Sequence, residues 1–176
     1  STDVTIAGTN QTYTFVEVLP DITGDGYGDL AVSHSSADMY DAQLGYILQA
    51  GVVAILPGGA SLPASTATDT TNTRIIGDSY WDRIGLSMTA ADVDGDAVGD
   101  VLVTSSSGYE QPRLFYGPIS TGIHTIGTAD AVFGGHSGRE GQAFANAGDT
   151  NGDGFEDVLV GRVQYENVLL YLGAMN

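Results

Sequence analysis

Short apolar bursts alternate with polar, glycine-rich stretches along the whole chain. The bursts include LAVS (30–33), VVAIL (52–56), RII (74–76), DVLV (100–103), RLF (113–115), DVLV (157–160) and NVLLY (167–171). Each is rich in Val, Ile, Leu or Tyr and is bounded by Gly, Asp, Ser or similar turn formers, the pattern of short β-strands between turns. No segment sustains a helical period, so the chain is predicted to be all-β. The longest apolar run, AGVVAILPGGA (50–60), is too short and too broken by Gly and Pro to span a bilayer.

The bursts belong to a longer repeat. DITGDGYGDLAVS begins at Asp21, DVDGDAVGDVLVT at Asp92 and DTNGDGFEDVLVG at Asp149, so the starts lie 71 and 57 residues apart. The shared frame is D-x-[TDN]-G-D-[GA]-x-x-D, followed at once by a strand. Upstream of each copy lies a short apolar segment ending in Gly: VTIAG (4–8), RIIG (74–77) and AVFG (131–134). Downstream lie GVVAILPGG (51–59), RLFYGP (113–118) and NVLLYLGA (167–174). Each unit therefore reads as strand, glycine-rich bend, strand, acidic loop, strand, turn, strand. One domain of three units is predicted, over about 1–60, 73–118 and 119–176. The Ser/Thr/Ala-rich residues 61–72 read as a flexible connection. Four-stranded units of this size are the form of propeller blades.

The second unit, IIGDSYWDRIGLSMTAADVDGDAVGDVLVTSSSGYEQPRLFYGP (75–118), resembles an FG-GAP repeat, the blade of the integrin α-subunit β-propeller. The resemblance covers nearly the whole chain in three copies, and its most specific part is the acidic loop followed by D-[LV]-[AL]-V. The aromatic-Gly pair appears only as Ile84-Gly85, and Gly-Ala-Pro is replaced by SHS (33–35), SSS (105–107) and GRV (161–163). The resemblance implies three four-stranded antiparallel, integrin-like propeller blades. It also implies an extracellular or cell-surface setting and a binding, adhesion or structural role.

The loops carry the candidate chemistry. Calcium takes six to eight oxygen ligands. Side-chain oxygens at positions 1, 3 and 5, a backbone carbonyl at 7 and a carboxylate at 9 would wrap one ion. These positions are Asp21, Thr23, Asp25, Tyr27 and Asp29 in the first loop, and Asp92, Asp94, Asp96, Val98 and Asp100 in the second. In the third they are Asp149, Asn151, Asp153, Phe155 and Asp157. An EF-hand would need a bidentate Glu at position 12, where this chain has Val32, Val103 and Val160. Three calcium ions per chain are expected. Magnesium suits the loops less, because it demands octahedral geometry and keeps its waters. Zinc and copper lack nitrogen or sulfur ligands. Position 6 is Gly26 and Gly154 in two loops but Ala97 in the second, where a positive φ would strain it.

Composition narrows the function classes. With 22 acidic and 5 basic residues, the chain carries a formal charge of −17, which argues against nucleic acid and anionic membrane surfaces. Its 42% hydrophobic content separates it from disordered acidic chains. It has no cysteine, hence no disulfide and no thiolate metal site. His34, His124 and His136 are dispersed without ligand or triad spacing, and no catalytic constellation emerges, so the chain is read as a non-enzyme. A calcium-stabilised binding or adhesion module is the primary reading. A lectin-like propeller is the alternative, with Tyr80-Trp81 able to stack on a sugar or anchor a protein, although an aromatic plug between blades is the plainer role. A polysaccharide-acting propeller enzyme ranks third. Closed propellers have four to eight blades. Self-association is therefore expected, as a dimer closing a six-bladed ring or as a polymer; the alternative is that the three units are a piece of a longer chain that supplies the remaining blades.

Overall fold

A computed structural model describes residues 5–7, 15–60, 65–67, 71–106, 111–133, 140–162 and 166–175. The described chain is all-β apart from one 3-10 turn at Ile126–Thr128. The strands are β1 (Thr5–Ala7), β2 (Phe15–Leu19), β3 (Asp29–His34), β4 (Met39–Asp41), β5 (Gly45–Ile47), β6 (Val52–Leu56), β7 (Ser65–Ala67) and β8 (Thr73–Ile76). They continue as β9 (Met88–Ala91), β10 (Asp100–Val103), β11 (Arg113–Phe115), β12 (Gly122–Thr125), β13 (Ala131–Val132), β14 (Glu140–Gly148), β15 (Asp157–Arg162) and β16 (Asn167–Tyr171). No described helix is long and apolar enough to cross a membrane.

Three main sheets form. In the first, β2, β3, β6 and β8 pair antiparallel in that order, and β12 adds in parallel to the far edge of β8. The second runs β9, β10, β11, β13, all antiparallel. The third has β14, β15 and β16 among the described residues. Two small pairs stand outside them: the β4–β5 hairpin and the parallel pair β1–β7. The expected four antiparallel strands are thus found in the first and second sheets, with β12 extending the first.

Period-two alternation decides how the sheets stack. On β3, β6 and β8, Ala31, Val53, Ile55 and Ile75 share one face and pack against Met88, Ala90, Val101, Val103 and Phe115 of the second sheet. The intervening residues of the second sheet, Ala91, Leu102 and Leu114, point the other way and meet Val158, Val160, Phe144 and Tyr171 of the third. Phe133 and Tyr171 pack edge-to-face there, with centroids 5.0 Å apart. The second sheet buries one face on each neighbour, so Val101, Leu102 and Val103 of β10 are all apolar and fully buried, as for strands covered on both sides. β9 lies beside β2 on one side and β14 on the other. This is the arrangement of the β-propeller-like class, with the first strands of successive sheets side by side.

The short strand before each bend behaves differently from its reading in the sequence. RII forms β8 and closes the sheet of the preceding repeat on β6, and AV of the third repeat forms β13 and closes the second sheet on β11. The bend that follows β8 then carries the chain to the next sheet. Gly77 is needed there because a Cβ would lie 2.4 Å from the Ala50 carbonyl. Gly85, at φ +80°, sits where a Cβ would lie 2.6 Å from Ser33 Cβ, and the Ser33 hydroxyl donates to the Gly85 carbonyl at 2.6 Å. Ile84-Gly85 of one repeat therefore docks on SHS of the preceding one. Val4 and Gly8, which flank β1, and Gly134 lie outside the described residues.

Candidate metal centre

The three acidic loops adopt one conformation. Position 4 is Gly24, Gly95 and Gly152, each at φ +77°. Position 6 is also left-handed: Gly26 at φ +88°, Ala97 at +69° and Gly154 at +95°. The position-1 carboxylate accepts from the position-4 N–H at 2.7 Å in all three loops. It also accepts from the position-6 N–H at 2.7, 2.9 and 2.9 Å. The position-5 carboxylate accepts from the position-7 N–H of Tyr27, Val98 and Phe155, at 2.9, 2.8 and 3.0 Å. These Asx-type bonds curl each loop on itself, but among the described residues three acidic side chains converge only in the second, and Asp96 is not one of them.

Position 9 has a second task that its place in the loop frame does not reveal. Asp29, Asp100 and Asp157 are fully buried. One oxygen accepts from the position-2 N–H of Ile22, Val93 and Thr150, at 2.9, 2.8 and 2.9 Å. The other accepts from Gly58, Gly117 and Gly173 at the end of the third strand, at 2.8, 2.9 and 3.0 Å. The carboxylate thus ties its own loop to the end of the next strand of its sheet. Those glycines are required sterically. A Cβ on Gly117 or Gly173 would lie 2.6 Å from the position-8 carbonyl of Gly99 or Glu156, and one on Gly58 only 2.0 Å from that of Gly28.

The second loop brings most charge together. Carboxylate oxygens of Asp92, Asp94 and Asp100 all lie within 4.8 Å of one another. Burial, with the charges of Asp96 and Asp92, pushes Asp94 above the ordinary carboxylate range. Burial raises Asp100 to about 6, against the N–H bonds from Gly117 and Val93, and the charges of Asp94 and Asp92 add to the rise. In the first loop burial also acts on Asp21, but the N–H groups of Gly26, Gly24 and Asp25 outweigh it and hold its pKa low. In the third, the Thr150 hydroxyl bond holds Asp157 low. The donor sets differ accordingly. Thr23 reaches Asp29 with its hydroxyl at 3.5 Å, and Asn151 donates its amide N–H to Asp153 at 2.7 Å. All three loops offer oxygen donors, and in the second the carboxylates are crowded beyond what local hydrogen bonds neutralise, which suits a hard dication there.

Other singled-out residues fall elsewhere. His124 contacts the Ser120 carbonyl at 2.9 Å. Burial lowers the pKa of His34, against the charge of Asp38. His136 lies outside the described residues. Tyr80 and Trp81 are exposed rather than plugged between sheets. Arg83 stacks 5.4 Å from the Trp81 ring and binds the Gln49 side-chain oxygen through Nε at 2.7 Å. Gln49, Trp81 and Arg83 all hold positive φ, a concentration of backbone strain that spacing and composition do not signal.

No family model matches the chain. Among curated proteins it is similar to human integrin alpha-8, at 28% identity over 92% of this chain and 17% of that protein. It is likewise similar to mouse integrin alpha-8, at 27% identity over 97% of this chain and 18% of that protein. The chain spans less than a fifth of the length of these relatives.

Proposed function

We propose that the chain is a calcium-stabilised, extracellular module of adhesion type, built from three FG-GAP propeller blades. The observation that carries this reading is the identity of the three loops in dihedral angle and hydrogen bonding, each at the same place in its sheet. The distant similarity to integrin alpha-8 over nearly the whole chain supports an adhesion role in place of catalysis. The sequence units 1–60, 73–118 and 119–176 are retained as the repeats of one domain.

Bound calcium supplies positive charge that offsets the repulsion among the loop carboxylates. Asp92, Asp94, Asp96 and Asp100 would hold it in loop two, with Asp21, Thr23, Asp25 and Asp29 in loop one and Asp149, Asn151, Asp153 and Asp157 in loop three. The carbonyls of Tyr27, Val98 and Phe155 complete each set. Neutralisation would lock each loop against the glycine at the end of the next strand, because Asp29, Asp100 and Asp157 serve both. Affinities near 10⁻⁴–10⁻³ M are typical of extracellular calcium modules. A ligand at about 100 times its Kd stabilises by roughly 2.7 kcal/mol per site. Calorimetric titration is expected to count three ions per chain, and calcium to raise the Tm in a manner reversed by EDTA. An unchanged Tm at millimolar calcium overturns the reading.

A glycan-binding role is the second reading. Its observation is the exposure of Tyr80 and Trp81, and of Tyr40 and Tyr46, which face each other across the β4–β5 hairpin. Binding on a glycan array that is lost in Trp81→Ala would favour it, because such rings stack on sugar faces.

A further inference from the structure

Successive acidic loops touch one another in this fold. The position-1 carbonyls of Asp21 and Asp92 accept from the position-8 N–H groups of the next loop, Gly99 at 2.7 Å and Glu156 at 2.9 Å. The position-2 carbonyls of Ile22 and Val93 accept from Ile119 at 2.8 Å and Ala174 at 2.9 Å. The start of each of the first two loops is therefore held by the repeat that follows it.

Between the second and third loops a side chain joins these main-chain bonds. Position 8 is Gly28 in the first loop and Gly99 in the second, but Glu156 in the third. Gly99 has no room for a side chain, since a Cβ there would lie 2.4 Å from Pro20 Cγ. Glu156 Oε2 accepts from the Asp92 N–H at 2.9 Å, while the Glu156 N–H donates to the Asp92 carbonyl. One residue of the third repeat thus grips the main chain of Asp92 on both sides. The same Oε2 accepts from the Asn146 amide at 2.9 Å, and that amide also donates to the Ala90 carbonyl of β9 at 3.1 Å. Phe155 adds a packing contact, because a Cβ on Gly95 of the second loop would lie 2.7 Å from its ring. The corresponding Gly24 of the first loop meets Pro118 instead.

These contacts fall where the donor sets of two loops meet. Phe155 and Asp157 hold positions 7 and 9 of the third loop, and Glu156 lies between them. Asp92 holds position 1 of the second loop, in the cluster with Asp94 and Asp100. An ion in the third loop fixes the main chain on either side of Glu156, and Glu156 in turn fixes Asp92. Part of the ordering that the second loop needs is then in place before its own ion arrives.

We propose that Glu156 is a positioning residue for the metal of the second loop and couples it to the third, so that calcium in either loop raises the affinity of the other. The first and second loops lack a bridging carboxylate and are coupled less. The inference rests on the calcium reading of the loops and adds how the filling of one site bears on the next.

Calcium titration of the full chain, followed by the NMR amide signals of Gly24, Gly95 and Gly152, tests it. Each glycine is position 4 of its loop and donates to that loop's position-1 carboxylate, so the three sites are read separately. Far-ultraviolet circular dichroism in EDTA checks that every variant folds. Asp153→Asn weakens the site of the third loop but keeps an oxygen for the Phe155 N–H. It should lower the calcium affinity read at Gly95 by about fivefold or more. Asp94→Ala should lower the affinity read at Gly152 by the same factor, because coupling between two sites is reciprocal. In Glu156→Ala the affinity at Gly95 should fall about fivefold with little change at Gly24, and adding Asp153→Asn should lower it no further. Glu156→Gln should restore the coupling, since its amide oxygen still accepts from the Asp92 N–H. A second loop indifferent to the third overturns the proposal, as does a Glu156→Ala loss shared equally by all three loops or a Glu156→Gln variant as weak as Glu156→Ala. A parent chain in which none of the three glycines responds to millimolar calcium overturns the calcium reading itself, and the coupling with it.

Discussion

Single residues set the loop backbone. Ala97 holds φ +69° where its counterparts are glycine, so its Cβ is forced toward a carbonyl in a region that L-residues avoid. Ala97→Gly removes this strain at some cost in unfolded-chain entropy. It is expected to stabilise the chain by about 1 kcal/mol, read from the urea midpoint. Gly117 and Gly173 are the opposite case, since their surroundings leave no room for a Cβ. The loop frame was legible in the sequence because Asp and Gly at fixed offsets each have a distinct backbone role. The need for Gly58, Gly117 and Gly173 was not, because it arises from a carbonyl some 17 to 30 residues away in the chain.

At the level of the loop and its sheet, two kinds of aspartate separate. Asp100 is buried and takes two backbone N–H groups, from Val93 and Gly117. Asp94 is only partly buried, accepts one longer bond of 3.3 Å, and is repelled by its neighbours. Asp100→Ala should therefore destabilise the chain by about 2–4 kcal/mol even in EDTA, because it strands buried donors. Asp94→Ala should leave the EDTA melting temperature within a degree or two of the parent, yet reduce the rise produced by calcium. Equal losses for both variants in EDTA would remove the distinction between scaffold and ligand. The sequence presents both residues as the same loop acid; burial alone sorts them.

Across the whole molecule, contacts between sheets decide stability. Glu17 on β2 reaches the second sheet, where its Oε1 accepts from the Thr89 hydroxyl at 3.2 Å while its Oε2 is buried without a partner among the described residues. Burial raises its pKa above the ordinary value of 4.5, against the Thr89 bond. The folded state therefore holds a proton more tightly than the unfolded one. The ionisation penalty is absent below the unfolded pKa of 4.5, grows as pH rises, and is complete above the folded pKa. Glu17→Gln should raise the Tm at pH 7, and its advantage should shrink steadily as the pH is lowered toward 4.5. A gain independent of pH would point to packing in place of charge.

The sequence by itself determined that the chain is β-rich, that it repeats three times, and that each repeat carries one acidic loop at the start of a strand. Those properties rest on local rules: period-two alternation, turn chemistry, and the oxygen-bearing residues at positions 1, 3, 5 and 9. Tertiary structure alone decided which strands share a sheet. Alternation assigns a strand to a face but not to a neighbour, so RII and AV could be read only as opening their own repeats, whereas β8 and β13 close the preceding sheets. It also decided that Val16, Val18, Leu159 and Leu170 stand at the ends of the stack. Their apolar character is the same as that of Met88, Ala90, Leu102 and Leu114, and only the presence or absence of an adjoining sheet makes one set buried and the other exposed.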